Sequence, residues 1–376
     1  MRTRHVPYLV LGAGAMGAAT AYHLARRGEP VVLVEQFGLG HDRGSSHGAA
    51  RIARHSYADP AYARLMIDAF RAWRELEADA GRPLFIRTGG VSICPKEVDY
   101  VARVASSLAA IDIPHRRMDG WEWIRTMPTF GVPDDSDVVF EPDAGLIAAE
   151  RAVAVQIELA RAIGDRTEIL DQMPVRRIDL EGHRPTLIFD GHVLVAERLI
   201  VTAGAWSGRL LPGLAVPLRP TRQRVLYFRP ADPEPFAIGR FPVFIFKGPG
   251  EHDSFYGMPW ALGMGVKVAR HGGPDVDPDA VERDVEADYR EEVRDFLRAT
   301  IPALAGAVID RAEVCLYTMA EDENFRVGPM PGRPDVIVAS PCSGHGFKFS
   351  CLIGRVLADL AVDGSTPTAI GPWRVA

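Results

Sequence analysis

Three kinds of residue in this chain have the type and spacing for chemistry. Gly12, Gly14 and Gly17 form G-x-G-x-x-G inside "YLVLGAGAMGAATAYHLARRGEPVVLVEQ", and Glu35 follows 18 residues after Gly17. The first glycine permits a tight turn, the second lets a pyrophosphate approach the backbone, and the third lets helix and strand pack closely. The helix N-terminus then faces the phosphates, and the acid meets a ribose. This pattern predicts a dinucleotide site but does not separate NAD from FAD. A carboxylate at Glu35 would repel a 2′-phosphate, which argues against NADP. Lysine is the second kind. Of 43 basic residues only Lys96, Lys247, Lys267 and Lys348 are not arginine. A retained Lys marks a place where a compact ammonium matters, since the two cations are not interchangeable. Cysteine is the third. Cys94, Cys315, Cys342 and Cys351 have no CxxC pair and no regular spacing, so they suggest neither a disulfide framework nor a zinc site, and no metal is expected. Cys315, in "RAEVCLYTMAEDENF", reads on its own as a small buried hydrophobe. Only a neighbouring cofactor would give its thiol a reaction.

The elements that must position these residues follow from periodicity. The glycine motif lies between a short apolar run, Tyr8 to Leu11, and a helical stretch capped by Gly28; "VVLVE" is a buried strand. "QFGLGHDRGSSHGAARIARHSY" is a loop, with Arg51 and Arg54 spaced to share a face if a helical turn forms there. Residues 61–81 form an amphipathic helix, and residues 98–128 are helical in parts. "PLFIRTGGVSICP" reads as a hairpin or strand pair around Gly89 and Gly90. "VVFEPDAGLIAAERAVAVQIELARAIG" and "LIVTAGAWSGRLL" each run from strand through turn to helix. Between about 218 and 317 the texture becomes short alternating strands punctuated by Pro and Gly. One polar-faced helix, "DPDAVERDVEADYREEVRDFLRATIP", starts at Asp-Pro. "DVIVASPCSGHGFKFSCLIGRVLADLAVDG" returns to strand, glycine loop and helix. The fold class is therefore α/β with mixed α+β character: a discontinuous nucleotide domain with a β-rich second domain inserted.

Composition narrows the function. The chain has 376 residues, 47% hydrophobic and 24% charged, with a net charge of −6. That length suggests about two domains. The mild acidity gives no field for nucleic acid. No uncharged apolar run reaches the roughly 18 residues of a membrane span. The start "MRTRHVPYLVLGAGAMG" mimics a signal peptide but runs straight into the glycine motif without a cleavage site. It reads as a first strand, and the expected location is cytoplasmic.

GAGAMG, "GSSHGAARIARHSY", "TAGAWSGRLL", "VCLYT" and "SGHGFKFS" occur in this order along the chain. In that order they resemble the monomeric sarcosine oxidase and N-methyltryptophan oxidase family of D-amino-acid-oxidase-like flavoproteins. The resemblance covers essentially the whole chain; "VCLYT" followed by "SGHGFKFS" is its specific part. It implies a Rossmann-like FAD-binding domain from 1–83, 142–217 and 318–376, with an inserted substrate domain from 84–141 and 218–317. It implies a monomer that oxidises the C–N bond of a secondary amino acid with FAD and oxygen. The imine product hydrolyses, and peroxide is released. By resemblance Cys315 bonds through sulfur to the flavin 8α-carbon, and Arg54 with Lys348 binds the substrate carboxylate. Lys267 is the lysine placed above the flavin ring to activate oxygen. Arg51, Ser46 and His47 lie beside the flavin, as do Gly344 and Gly346, and Thr318 is placed to hydrogen-bond a flavin carbonyl. Tyr256 and His271 lie near the substrate, His345 contacts the flavin edge or the substrate side of the site, and Tyr317 lies against the flavin or the substrate pocket. Lys96 and Lys247 are left as surface residues, and Cys94, Cys342 and Cys351 as packing.

The chain departs from the family pattern at Ala49, Ala50 and Cys342, and it puts Met258 and Trp260 on the strand expected to line the pocket. These changes leave the substrate's side chain open. Rival readings are a flavin dehydrogenase with another electron acceptor and a non-catalytic flavin-binding subunit. An NAD-dependent dehydrogenase would leave "VCLYT" and "SGHGFKFS" unexplained.

Overall fold

The computed structural model describes residues 2–214, 216–250 and 253–375. Met1, Ala215, Glu251, His252 and Ala376, which fall inside the expected domain segments, lie outside the described residues.

One sheet has eight strands, drawn from residues 2–34, 167–201 and 326–340. Arg2–Leu11 runs parallel to both Val31–Val34 and His192–Val201, and longer than its apolar core alone suggests. Thr167–Leu170 adds to Val31–Val34, and Arg333–Ser340 adds to His192–Val201, both in parallel. Val31–Val34 is buried at all four positions, as expected for a parallel strand covered on both faces. Helices Ala15–Arg26, Ala149–Ile163 and Ser350–Asp363 pack together along this sheet. Gly354 brings two of them close: a Cβ there would lie 2.4 Å from that of Ala19.

The second eight-stranded sheet comes from residues 90–141 and 219–319. Its long pair is Arg219–Arg229 against Val308–Met319, antiparallel, which sets Cys315 opposite Gln223. Helix Ala287–Thr300 covers one face, with Phe296 stacked on Phe255 at 4.1 Å between ring centres. A small third sheet joins Ala50–Ala53, Gly145–Ala148 and Phe85–Arg87.

Helix Pro60–Ala80 forms close to where the sequence places it. Asp59 caps it by accepting from the Ala61 N–H at 2.8 Å, Pro60 begins it, and Gly81 closes it in the left-handed region at φ 62°. Three local expectations fail. Phe85–Arg87 and Gly90–Cys94 do not pair with each other but enter different sheets. Arg51 lies on a strand, Ala50–Ala53, and Arg54 just past it, rather than on a helical turn. The long polar helix starts only at Ala287. Asp277 caps a turn instead, accepting from the Asp279 N–H at 3.0 Å.

Candidate active site

The nucleotide wall is built from backbone. Gly12 has φ +100°, and a Cβ there would lie 2.7 Å from the Thr202 carbonyl oxygen. A Cβ on Gly17 would meet the Gly12 carbonyl oxygen at 1.7 Å, so the third glycine sets the closeness of helix and turn. Ser46 faces Gly14 and accepts from the Ala15 N–H at 3.0 Å. Glu35 accepts from the Ala13 N–H at 2.8 Å and the Phe37 N–H at 3.0 Å. Burial alone would raise its carboxyl, but these bonds and His41 hold it below the usual carboxylate range.

The segment after strand Ala50–Ala53 is fixed by a carboxylate from the other sheet. Glu141, fully buried at the end of strand Asp137–Glu141, accepts from both N–H groups of His55 and Ser56 at 3.0 to 3.1 Å. It also binds His55 Nδ1 at 2.7 Å and the Ser56 hydroxyl. Burial would raise this carboxyl, and the bonds from His55 and Ser56 more than offset it. Arg54 and Tyr57 flank that anchor, with the guanidinium 4.7 Å over the Tyr57 ring. Arg51 donates to the carbonyls of Ser45, His47 and Ala50 at 2.6 to 2.9 Å. Burial, and then Arg51, lower His47 to about 4, so its imidazole is neutral.

The second sheet supplies the facing wall. Lys267 is 3% exposed; its Nζ lies 3.4 Å from the Ala50 carbonyl oxygen and 5.9 Å from the Tyr227 ring centre. Burial, helped by Arg51, lowers its ammonium to about 7. The Tyr256 and Tyr317 hydroxyls are 3.5 Å apart, and burial pushes both phenols up. His271 packs on Tyr317 and is lowered to about 4 by burial and then by Lys247. Burial pushes the Cys315 thiol up. Arg283 donates to the carbonyl of Val314 at 2.9 Å, and to those of Arg43 and Asp42 at 2.9 and 3.2 Å. It thereby clamps the loop near residue 43 onto the strand that carries Cys315.

Glycines again shape the last wall. Gly344 has φ +78°, and a Cβ there would lie 2.5 Å from both His271 and Tyr317; one on Gly346 would lie 1.4 Å from the Pro341 oxygen. This turn delivers Lys348, 6% exposed, whose Nζ donates to Tyr57 Oη at 2.9 Å and to the His345 carbonyl at 2.8 Å. Burial, and then Arg54, hold that ammonium well below its usual range. His345, lowered to about 3 by burial and Lys348, lies 3.2 Å from the Tyr57 hydroxyl.

All four walls line one cavity of about 1490 Å³. Gly12, Gly14, Glu35, Ser46, His47 and Arg51 line its nucleotide side, with Gly344 and Gly346 near the turn that delivers Lys348. Arg54, Tyr256, Met258, Lys267, His271, Cys315, Tyr317, His345 and Lys348 line the rest. Trp260 does not: its backbone N–H donates to the Phe236 carbonyl at 2.8 Å, and its ring packs on the hydrophobic core against the second sheet. Thr318 lies behind the wall, where its carbonyl accepts from the Ser343 N–H at 2.9 Å. Gly17 is also outside the lining and acts through packing alone. Lys247, expected at the surface, lines the cavity. Sequence reasoning missed Lys247, Glu141 and Tyr57; only the scarcity of lysine pointed to the first.

The cavity fits FAD. It joins a glycine cradle that a single Cβ would fill to a pocket with buried polar atoms that have no partner among the described residues: Ser45 Oγ, His47 Nε2 and Arg54 Nη1. Among the described residues no cluster of three His, Cys, Asp or Glu could hold a metal, and no helix is long and apolar enough to cross a membrane.

Comparison with known proteins identifies the chain's family and fold. Residues 8–360 match the model of a family described as FAD dependent oxidoreductase. The chain is 35% identical to a monomeric sarcosine oxidase of Streptomyces avermitilis, over 98% of this chain and 97% of that one. It is 31% identical to an N-methyl-L-tryptophan oxidase of Salmonella arizonae, over 98% and 97%. Its fold is similar to that of NikD, an unusual amino acid oxidase essential for nikkomycin biosynthesis, with TM-score 0.87 and 23% identity over 99% and 97% of the two chains.

Proposed function

The chain belongs to the FAD dependent oxidoreductase family, and on that premise we propose that it oxidises the C–N bond of an N-methyl or other secondary amino acid. Oxygen is the acceptor, peroxide is released, and the imine hydrolyses to an aldehyde and an amine. One observation carries this reading. The half-buried Arg54 and the buried Lys348, cations that form no ion pair among the described residues, share a cavity with Cys315 and Lys267. The names of the curated relatives point the same way.

Bound FAD would supply the electron acceptor that an amine C–H bond needs. Gly12, Gly14, Glu35, Ser46, His47, Arg51, Gly344 and Gly346 would hold it, with Cys315 linked to it through sulfur. The fork of Arg54 and the point charge of Lys348 suit a carboxylate. Those cations also disfavour a protonated amine beside them, which keeps the nitrogen lone pair free. His271 and His345 are neutral and add no charge. Tyr256 and Tyr317 keep their protons and can donate hydrogen bonds. Lys267 Nζ holds its proton below about pH 7, giving a fixed cation where oxygen is reduced. In this reading 1–83, 142–217 and 318–376 form the FAD domain, and 84–141 with 218–317 the substrate domain, in a cytoplasmic monomer.

Acid precipitation of the purified protein tests the link. The yellow is expected to stay in the pellet and to pass into the supernatant for Cys315→Ala. A colourless wild-type pellet removes the thioether; a protein without flavin removes the whole reading. Peroxide release across a panel of N-methyl amino acids tests the reaction.

A further inference from the structure

One corner of the cavity is left unused by these roles. Lys247 and Ser254 stand directly opposite each other on antiparallel strands Val243–Lys247 and Ser254–Met258, and both line the cavity. Ser254 is only 8% exposed, and among the described residues its hydroxyl has no hydrogen-bond partner. A buried polar group left this way is costly unless something binds it. His271 adjoins the corner, since its backbone N–H donates to the Ser254 carbonyl at 2.7 Å. Among the charges acting on the His271 ring, Lys247 ranks ahead of Lys348 and Arg54. Two residues along the same strand pair, Ile245 faces Tyr256. That rung lies about 7 Å from the Lys247 rung by strand geometry, and both its residues also line the cavity.

The corner therefore offers an ammonium, a free hydroxyl and a neutral imidazole. An ionised carboxylate, which only accepts hydrogen bonds, is the complement of the first two. Of the seven acids that line the cavity, all but Glu323 are engaged elsewhere. Glu35 and Glu150 accept from backbone N–H groups, Asp59 caps a helix, and Glu158, Asp279 and Asp322 pair with arginines. Among the described residues none of them pairs with Lys247.

We propose that Lys247 and Ser254 form a subsite for a second acid group, so that the substrate is a secondary amino acid carrying two carboxylates. The α-carboxylate lies at Arg54 and Lys348, and the distal one at Lys247 Nζ and Ser254 Oγ. Tyr256 and Ile245 border the stretch between. This inference rests on the amino acid oxidase reading for its substrate class, but the corner can be tested without turnover.

Calorimetry on the flavin-loaded enzyme would compare the diacids succinate, glutarate and adipate with their monomethyl esters. At least one diacid is expected to bind tenfold or more tightly than its ester. In Lys247→Met that ratio falls to near one, and in Ser254→Ala it falls partway. Each ratio is internal to one protein, so a loss of folded material does not mimic the result. No preference for any diacid, or a preference that survives Lys247→Met, overturns the subsite. Peroxide assays with N-methylglutamate and N-methylglutamine form the second arm, with the acid favoured at least tenfold in kcat/KM through KM. Oxidation of neutral N-methyl amino acids without that preference overturns the inference and keeps the reading. No oxidation of any secondary amino acid overturns the reading, while the diacid ratios still decide the corner.

Discussion

The two ends of the cavity are made in opposite ways. At the nucleotide end the chemistry is backbone: a turn that tolerates no Cβ, with Glu35 fixing N–H groups on both sides. At the other end it is side chain: Arg54, Lys267 and Lys348 are brought from three distant segments, the two lysines buried and Arg54 half-buried. The first kind of site is encoded within thirty residues and fails by steric clash. The second is encoded across the whole chain and fails by loss of charge.

Breaking the backbone end should have the largest effect. Gly17→Ala sets a methyl 1.7 Å from a carbonyl oxygen that has no flexible side chain to yield. We expect no folded flavoprotein, read by the absence of the flavin absorbance band in the soluble fraction. Breaking the charge end should spare the fold. Lys348→Met removes the buried one of the two cations proposed to hold the substrate carboxylate, a loss of about 2–5 kcal/mol for a desolvated charge contact. That corresponds to a drop in kcat/KM of about 30-fold or more at unchanged flavin content, measured by initial rates. A smaller drop would mean that Arg54 alone holds the carboxylate.

The third effect is the most graded. Lys267 is lowered to about 7 in the folded chain, against an ordinary value of 10.5. Between those limits the unfolded lysine keeps a proton that the folded one has released. The unfolded state binds more protons, so stability rises with pH across that window, by at most about 1.4 kcal/mol per pH unit for one such group. Lys348, also lowered, adds with the same sign. Urea midpoints of the cofactor-free chain should climb from pH 7.5 to 9.5, and Lys267→Met should flatten the climb. A flat wild-type profile would show that the lysines are better solvated than their burial implies.

What could be read from sequence follows the same division. The glycine turn, its helix and Glu35 were legible because their pattern is local, although Thr202, Ser46 and Gly354 complete their packing from distant segments. The family resemblance located Arg54, Lys267, Cys315 and Lys348, but not the Glu141 carboxylate that secures the segment carrying Arg54. Its partners His55 and Ser56 are more than eighty residues away, and nothing local marks the contact. Lys247 was misplaced because "FPVFIFK" is apolar on both faces, so alternation does not reveal which side meets the cavity. Trp260 was misplaced because it lies past Met258, the last residue of its strand, where alternation no longer applies. Its ring turned to the core, and its backbone N–H found the Phe236 carbonyl.

Arg283 separates affinity from residence time. By tying residues 42 and 43 to the carbonyl beside Cys315, it closes the seam between a loop and a strand that both line the cavity. A dinucleotide behind that seam departs only as fast as the seam opens, which is a local unfolding rate set by the protein. Arg283→Ala in a Cys315→Ala background should speed flavin release several-fold, although Arg283 is not among the groups that hold the flavin. Equal release rates with and without the guanidinium would put the exit elsewhere.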